Sequence, residues 1–129
     1  TFFSFVYETW AISPNIVFYS EKIYKCILNF HPFVAWANPH TIKYMNDNGY
    51  KSFNSHINED YDNHISAEDR SILVMKEMVT LCDMTNTQLL DWYANQEEIL
   101  THNYNRFMEE DSFMKSVNQF LEVYDRVVG

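Results

Sequence analysis

The chain has 129 residues, enough for one domain with a core and too few for two full domains. Hydrophobic residues make up 47% and charged residues 21%, a globular composition that excludes a disordered chain. Nine basic against eighteen acidic residues give a net charge of −9, which opposes sequence-independent binding to nucleic acid or to an anionic membrane.

Phe2 to Tyr7 reads as a short buried strand, and residues 8–15, with Ser13-Pro14-Asn15, read as a loop. Asn15 to Tyr19 forms a second extended piece. Ser20 then caps a helix over Glu21 to Phe30, with Ile23, Cys26, Ile27 and Phe30 on its apolar face. His31-Pro32 stops that helix, and Pro32 to Ala37 is a buried strand. Asn38 caps the next helix with Pro39 in its first position, and Gly49 ends it where a left-handed residue is wanted. Lys51-Ser52-Phe53 is expected to form one more short strand. Residues 54–65 are polar and read as an ordered loop with one turn of helix. Ser66 with Asp69 resembles a capping box before a helix over about 67–84. Thr85-Asn86-Thr87 interrupts it, and Asn86 or Thr87 caps a second helix to about Met108. A third helix spans about Asp111 to Val127.

Strands alternating with helices predict an α/β fold with a small parallel sheet and right-handed crossovers, followed by a helical tail. The expected division is residues 1–65 as the α/β part and 66–129 as helices packed on it or extending from it. The sheet is small for a doubly wound fold and the chain starts at Thr1 without a Met. Both features suggest the C-terminal part of a longer protein, with an N-terminal domain of the same chain missing.

The excess charge is uneven. Residues 1–50 balance Glu8, Glu21 and Asp47 against Lys22, Lys25 and Lys43, so residues 51–129 hold 6 basic and 15 acidic residues. The neutral part is where a phosphate group fits. With two glycines in all, no GxGxxG or P-loop pattern occurs. Cys26 and Cys82 fall in apolar helical patterns and make no disulfide framework, which suits a reducing, cytoplasmic setting. No apolar run reaches the roughly 18–20 residues that span a membrane. Histidines 31, 40, 56, 64 and 102 are dispersed, without metal-ligand spacing. Met75, Met78, Met84 and Trp92 read as core.

Three places could carry chemistry. Ser20-Glu21-Lys22 sits at a loop-to-helix junction after an extended segment. A helix N-terminus attracts anions, Lys22 adds a cation, and Glu21 can accept two ribose hydroxyls. In open α/β sheets ligands lie beyond the carboxyl ends of strands, where this junction falls. An ordinary capped helix with a Glu-Lys first turn is the competing reading. Glu8, directly after the first strand, could act as a base or a sugar ligand, against a plain solvated loop Glu. Asn58-Glu59-Asp60-Tyr61-Asp62 could bind a hard cation and support metal-dependent hydrolysis. Its spacing does not match an EF-hand, and a structural turn is the simpler reading.

The run Phe18-Tyr19-Ser20-Glu21-Lys22-Ile23-Tyr24-Lys25 is followed in order by four others. These are His31-Pro32-Phe33-Val34, Asn38-Pro39-His40-Thr41-Ile42-Lys43-Tyr44-Met45, Gly49-Tyr50-Lys51-Ser52-Phe53, and Asn58-Glu59-Asp60-Tyr61-Asp62 with Arg70. This series, over about residues 3–105, resembles a set of glycosyltransferase-like proteins of bacteriophages, large DNA viruses and marine microbes. Ser20-Glu21-Lys22 is also similar to a segment of alpha-1,3-fucosyltransferases and other two-domain (GT-B) glycosyltransferases. The resemblance implies that the α/β part is half of a Rossmann-like donor-binding domain. It implies a metal-independent transfer with no cofactor, from a nucleotide diphosphate sugar to a glycan or protein acceptor. Glu21 would then bind ribose and Lys22 the diphosphate, with Ser20, Lys25 and Asn38 around them. The base that serves the acceptor would lie on the N-terminal domain, so this part alone would bind nucleotide and transfer nothing. If the source is viral, the setting is the host cytoplasm. Asn58 and Asp60 depart from the family pattern, so that motif receives no catalytic role. The alternative from another class is a non-catalytic interaction module, or a virion-associated one, that keeps the fold and uses its acidic helical tail to meet a partner.

Overall fold

The computed structural model describes residues 2–8, 21–109 and 111–129; for 111–116, 118 and 119 the description stops at the backbone. Ser20 and the expected extended piece Asn15 to Tyr19 lie outside the described residues.

Strand β1 (Ser4–Tyr7) and strand β2 (Phe33–Trp36) pair in parallel, in register from Ser4 opposite Phe33 to Tyr7 opposite Trp36. Helix α1 (Glu21–Leu28) lies between them in the chain, as a parallel pair requires. Phe33, Val34 and Ala35 are all buried, the pattern of a parallel strand covered on both faces. Helix α1 buries Ile23, Cys26 and Ile27, as its sequence predicts. It ends before Phe30, which takes φ 53°, and the His31 N–H reaches back to the Cys26 carbonyl at 2.9 Å. A left-handed residue other than glycine costs about 1–2 kcal/mol. Stacking of Phe30 on Tyr104 at 4.7 Å and a bond from the Tyr93 hydroxyl to the Phe30 carbonyl offset that cost.

Helix α2 (Thr41–Asp47) does not start at Asn38-Pro39 as expected. His40 sits at its head with φ 66°, its N–H donating to the Asp62 carbonyl at 2.7 Å. The cap is the Asp62 carboxylate, which accepts from the N–H groups of Ile42 (2.9 Å) and Lys43 (3.0 Å). A carboxyl group that accepts from two N–H groups of the first turn takes the place expected for the Asn38 side chain. Asn38 contributes its backbone carbonyl to the Thr41 hydroxyl at 2.7 Å. Gly49 does terminate the helix region at φ 90°.

The expected third strand, Lys51 to Phe53, does not form. Helix α5 (Glu97–Glu109) takes over its hydrogen bonds. The Asn103 carboxamide accepts from the Lys51 N–H at 2.8 Å and donates to the Lys51 carbonyl at 2.9 Å, as a neighbouring strand would. Arg106 donates to the Asn48 carbonyl at 3.0 Å.

A 3₁₀ turn, Asp60–Asn63, supplies the single helical turn expected of the polar loop. Helix α3 (Ala67–Cys82) begins at Ser66, whose hydroxyl accepts from the Asp69 N–H, as its sequence predicts. Helix α3 packs on β2 and on the 3₁₀ turn, and α5 packs on α1. The long helix expected up to Met108 is two helices. Helix α4 (Asn86–Ala94) is capped by Thr85 in a capping box with Gln88, in place of Asn86 or Thr87, and α5 follows after Asn95 and the fully buried Gln96. Trp92, buried as expected, donates its indole N–H to the His56 carbonyl at 3.1 Å. Met78 and Met84 pack at the edge of the core, whereas Met75 is exposed and does not belong to it. Helix α6 (Asp111–Val128) leaves Phe120, Leu121, Val123, Tyr124, Val127 and Val128 exposed. Among the described residues no helix is long and apolar enough to cross a membrane.

Candidate functional site

The first candidate site is a groove of about 460 Å³ between α1 and β1. Lys22, Lys25, Cys26 and Asn29 line it from α1, Ser4 to Tyr7 from β1, and His31 closes one end. In a parallel ladder successive residues alternate in the side to which their backbone groups turn. The N–H groups of Ser4 and Glu8 go to β2, reaching the Pro32 and Trp36 carbonyls at 2.9 and 3.0 Å. The Tyr7 carbonyl instead receives the Lys22 ammonium at 2.8 Å. Lys22 therefore stands at the carboxyl end of β1, where ligands of open α/β sheets bind. Among the described residues no carboxylate lines this groove, although the chain carries a charge of −9.

The predicted residues are only partly brought together. Lys22 and Lys25 share the groove; Glu21 is exposed in the first turn of α1 and lies outside its lining. Asn38 is buried beyond β2 and also lies outside it. Glu8 corrects the picture of a solvated loop residue, because it is 4% exposed and sits at the end of β1. Burial also pushes the Cys26 thiol up, which suits a core residue better than a nucleophile.

The second candidate site joins two of the sequence motifs. Ser52 of the Gly49 to Phe53 run and Asn58, Glu59, Asp60 and Asp62 of the next border an open polar cavity of about 470 Å³. Asn46 of α2, with Ser52, Asn54, Ser55, His56 and Asn58, supplies its polar wall, and Glu59 reaches into its floor. The Glu59 side chain also forms part of a nearly filled niche of about 10 Å³ with Phe33, Ile42, Met45 and Phe53. Both Glu59 carboxyl oxygens are sealed from solvent and neither has a hydrogen-bond partner. Desolvation there raises the carboxyl from 4.5 to about 7. The Ser52 hydroxyl and the Phe53 N–H lie close enough to offset part of that rise, without bonding geometry to the carboxyl.

Around Glu59 the motif is a structural turn, as its simpler reading expects. The Asn58 side chain accepts from the Asp60 N–H at 3.0 Å, and Asp62 is committed to α2. Burial raises the Asp62 carboxyl, against the pull of the Ile42 and Lys43 N–H groups. The Arg70 guanidinium, itself buried, ties down the far side of this loop by donating to the carbonyls of Ala37, His64 and Ile65 at 3.0, 3.0 and 2.6 Å. Among the described residues no group of three or more His, Cys, Asp or Glu side chains is placed to hold a metal ion.

Sequence reasoning missed the inward turn of Glu59 and the capping role of Asp62. No local signal marks either one, because the Asp62 partners lie about 20 residues away in the chain. In comparisons with known proteins, no family model, characterised protein or solved structure matches the chain.

Proposed function

We propose that this chain is the donor-binding part of a glycosyltransferase, holding the diphosphate of a nucleotide sugar in the groove between α1 and β1. One observation supports the reading above the others: in an acidic chain, the described lining of this groove along β1 holds Lys22 and Lys25 and no carboxylate, with Lys22 at the carboxyl end of the strand. Departure of a nucleoside diphosphate builds negative charge, and fixed cations lower that barrier without a metal. In this reading Lys22 exchanges its bond to the Tyr7 carbonyl for a phosphate oxygen, and Lys25 meets the second phosphate. Glu21, exposed beside them, takes the ribose hydroxyls. The two-stranded sheet is then half of a Rossmann-like domain.

Calorimetric titration with UDP, GDP and their sugar conjugates tests this, comparing wild type with Lys22→Ala and Lys25→Ala. A charge-assisted bond of about 1.5–3 kcal/mol predicts at least about tenfold weaker binding in each variant. Absence of saturable binding to the wild-type chain refutes the proposal. A second reading, a non-catalytic interaction module, draws on the exposed apolar side chains of α6 and would leave both lysine variants without effect.

A further inference from the structure

The cavity over Glu59 shares no lining residue with the lysine groove, and its chemistry is different. Its wall is made of carboxamides and hydroxyls: Asn46, Ser52, Asn54, Ser55 and Asn58. Such groups both give and accept hydrogen bonds, as sugar hydroxyls do. A second hollow of about 540 Å³ adjoins it and shares Asn46, Ser52, Asn54, Ser55 and His56 as a common wall. Each hollow falls within the roughly 300–1,000 Å³ typical of small-molecule sites.

Apart from Glu59, the charged groups lining the two hollows are paired, capping or exposed, and Lys51 and Glu98 of the second are joined at 3.1 Å. Lys43 pairs with Asp47 at 2.6 Å, and Asp62 caps α2. Asp60 is exposed at the rim. Glu59 is left as the one carboxyl in the floor with neither oxygen bonded. A buried polar group without a partner is costly, and the cost is relieved when a ligand supplies the missing bond. The niche beneath Glu59 has almost no room, whereas the cavity above it does, so the carboxyl can turn only upward.

From this geometry we propose that the cavity and its neighbour form a binding site for an uncharged glycan, with Glu59 turning up to bond ligand hydroxyls. The proposal goes beyond the nucleotide-sugar reading of the groove and does not depend on it. Across the two hollows Glu59, Asp60, Asp62 and Glu98 outnumber Lys43 and Lys51, so an anionic ligand would be repelled.

The test is a titration of the 129-residue chain followed by backbone amide NMR shifts. The probes are maltose, lactose and N,N′-diacetylchitobiose, with spermidine and UDP as cationic and anionic controls. At least one disaccharide is expected to produce saturable shifts at Asn46, Ser52, Asn54, Ser55, Asn58 and Glu59, while UDP leaves them in place. Glu59→Gln removes the charge-assisted acceptor and is expected to weaken binding about tenfold. Asn54→Ala, at an exposed position, is expected to weaken it as well and keeps the test decisive if Glu59→Gln does not fold. Three outcomes would overturn the proposal: no saturable shift with any disaccharide, unchanged affinity in both variants, or a response to spermidine alone. Shifts at Lys22, Lys25 and Asn29 with UDP concern the groove and bear only on the other reading.

Discussion

Replacing Glu59 by glutamine should change the pH dependence of stability in a defined direction. The carboxyl is ionised above about 4.5 when exposed and above about 7 in the folded chain. Between those values the folded state holds a proton that the unfolded state has released. Stability therefore falls as pH rises through this window, being fully present below about 4.5 and lost above about 7. At about 1.4 kcal/mol per pH unit, the gap corresponds to about 3 kcal/mol. That figure is a ceiling, because the carboxyl can relieve part of the penalty by turning into the open cavity. Glutamine keeps the shape and cannot ionise. Urea unfolding followed by tryptophan fluorescence, at about pH 5 and at about pH 8, isolates the effect, since every other titrating group is common to both proteins. Wild type should lose up to about 3 kcal/mol relative to Glu59→Gln across that range. Equal pH slopes in the two proteins would refute the assignment of Glu59 as a buried, unpartnered acid.

Two further changes probe the scaffold of the same cavity. Arg70→Ala leaves the buried carbonyl of Ala37 without its donor and frees the part-buried carbonyls of His64 and Ile65 to solvent, and at about 1–3 kcal/mol for the one buried group it should cost about that much in chemical denaturation. Gly49→Ala places a methyl 2.8 Å from the Arg106 guanidinium at a backbone φ of 90°. It should cost about 1–2 kcal/mol, read as a lower midpoint of thermal unfolding.

How far the sequence reveals this molecule follows the range of the interactions involved. The face of α1, the parallel order of β1 and β2, the Ser66 cap and the Gly49 terminus depend on neighbours within about one turn or on hydrophobic period, and all four are legible. What fails is set by partners far along the chain. Asp62 displaces Asn38 as the cap of α2 from 20 residues away, and Asn103 replaces a strand for Lys51 from 52 residues away. The same holds for the sites. Lys22 and Lys25 are one turn apart on a helix and could be paired from spacing alone. The Glu59 cavity needs two loops and α2 to come together, so its residues read as a polar surface turn until they are folded.

The carboxamide of Asn103 that stands in for a strand also bears on the order of folding. Strands β1 and β2 with α1 are assembled from contacts within the first part of the chain, but the backbone of Lys51 has no partner until α5 has docked. Closing so long a loop is entropically slow compared with forming local helix, so the segment from Asn48 to Asn58 should be among the last to become ordered. Its amides should also be among the first to exchange with solvent when α5 lifts away. The polar cavity is thus a late product of folding, and its affinity for any ligand is coupled to how firmly a helix some fifty residues downstream is held.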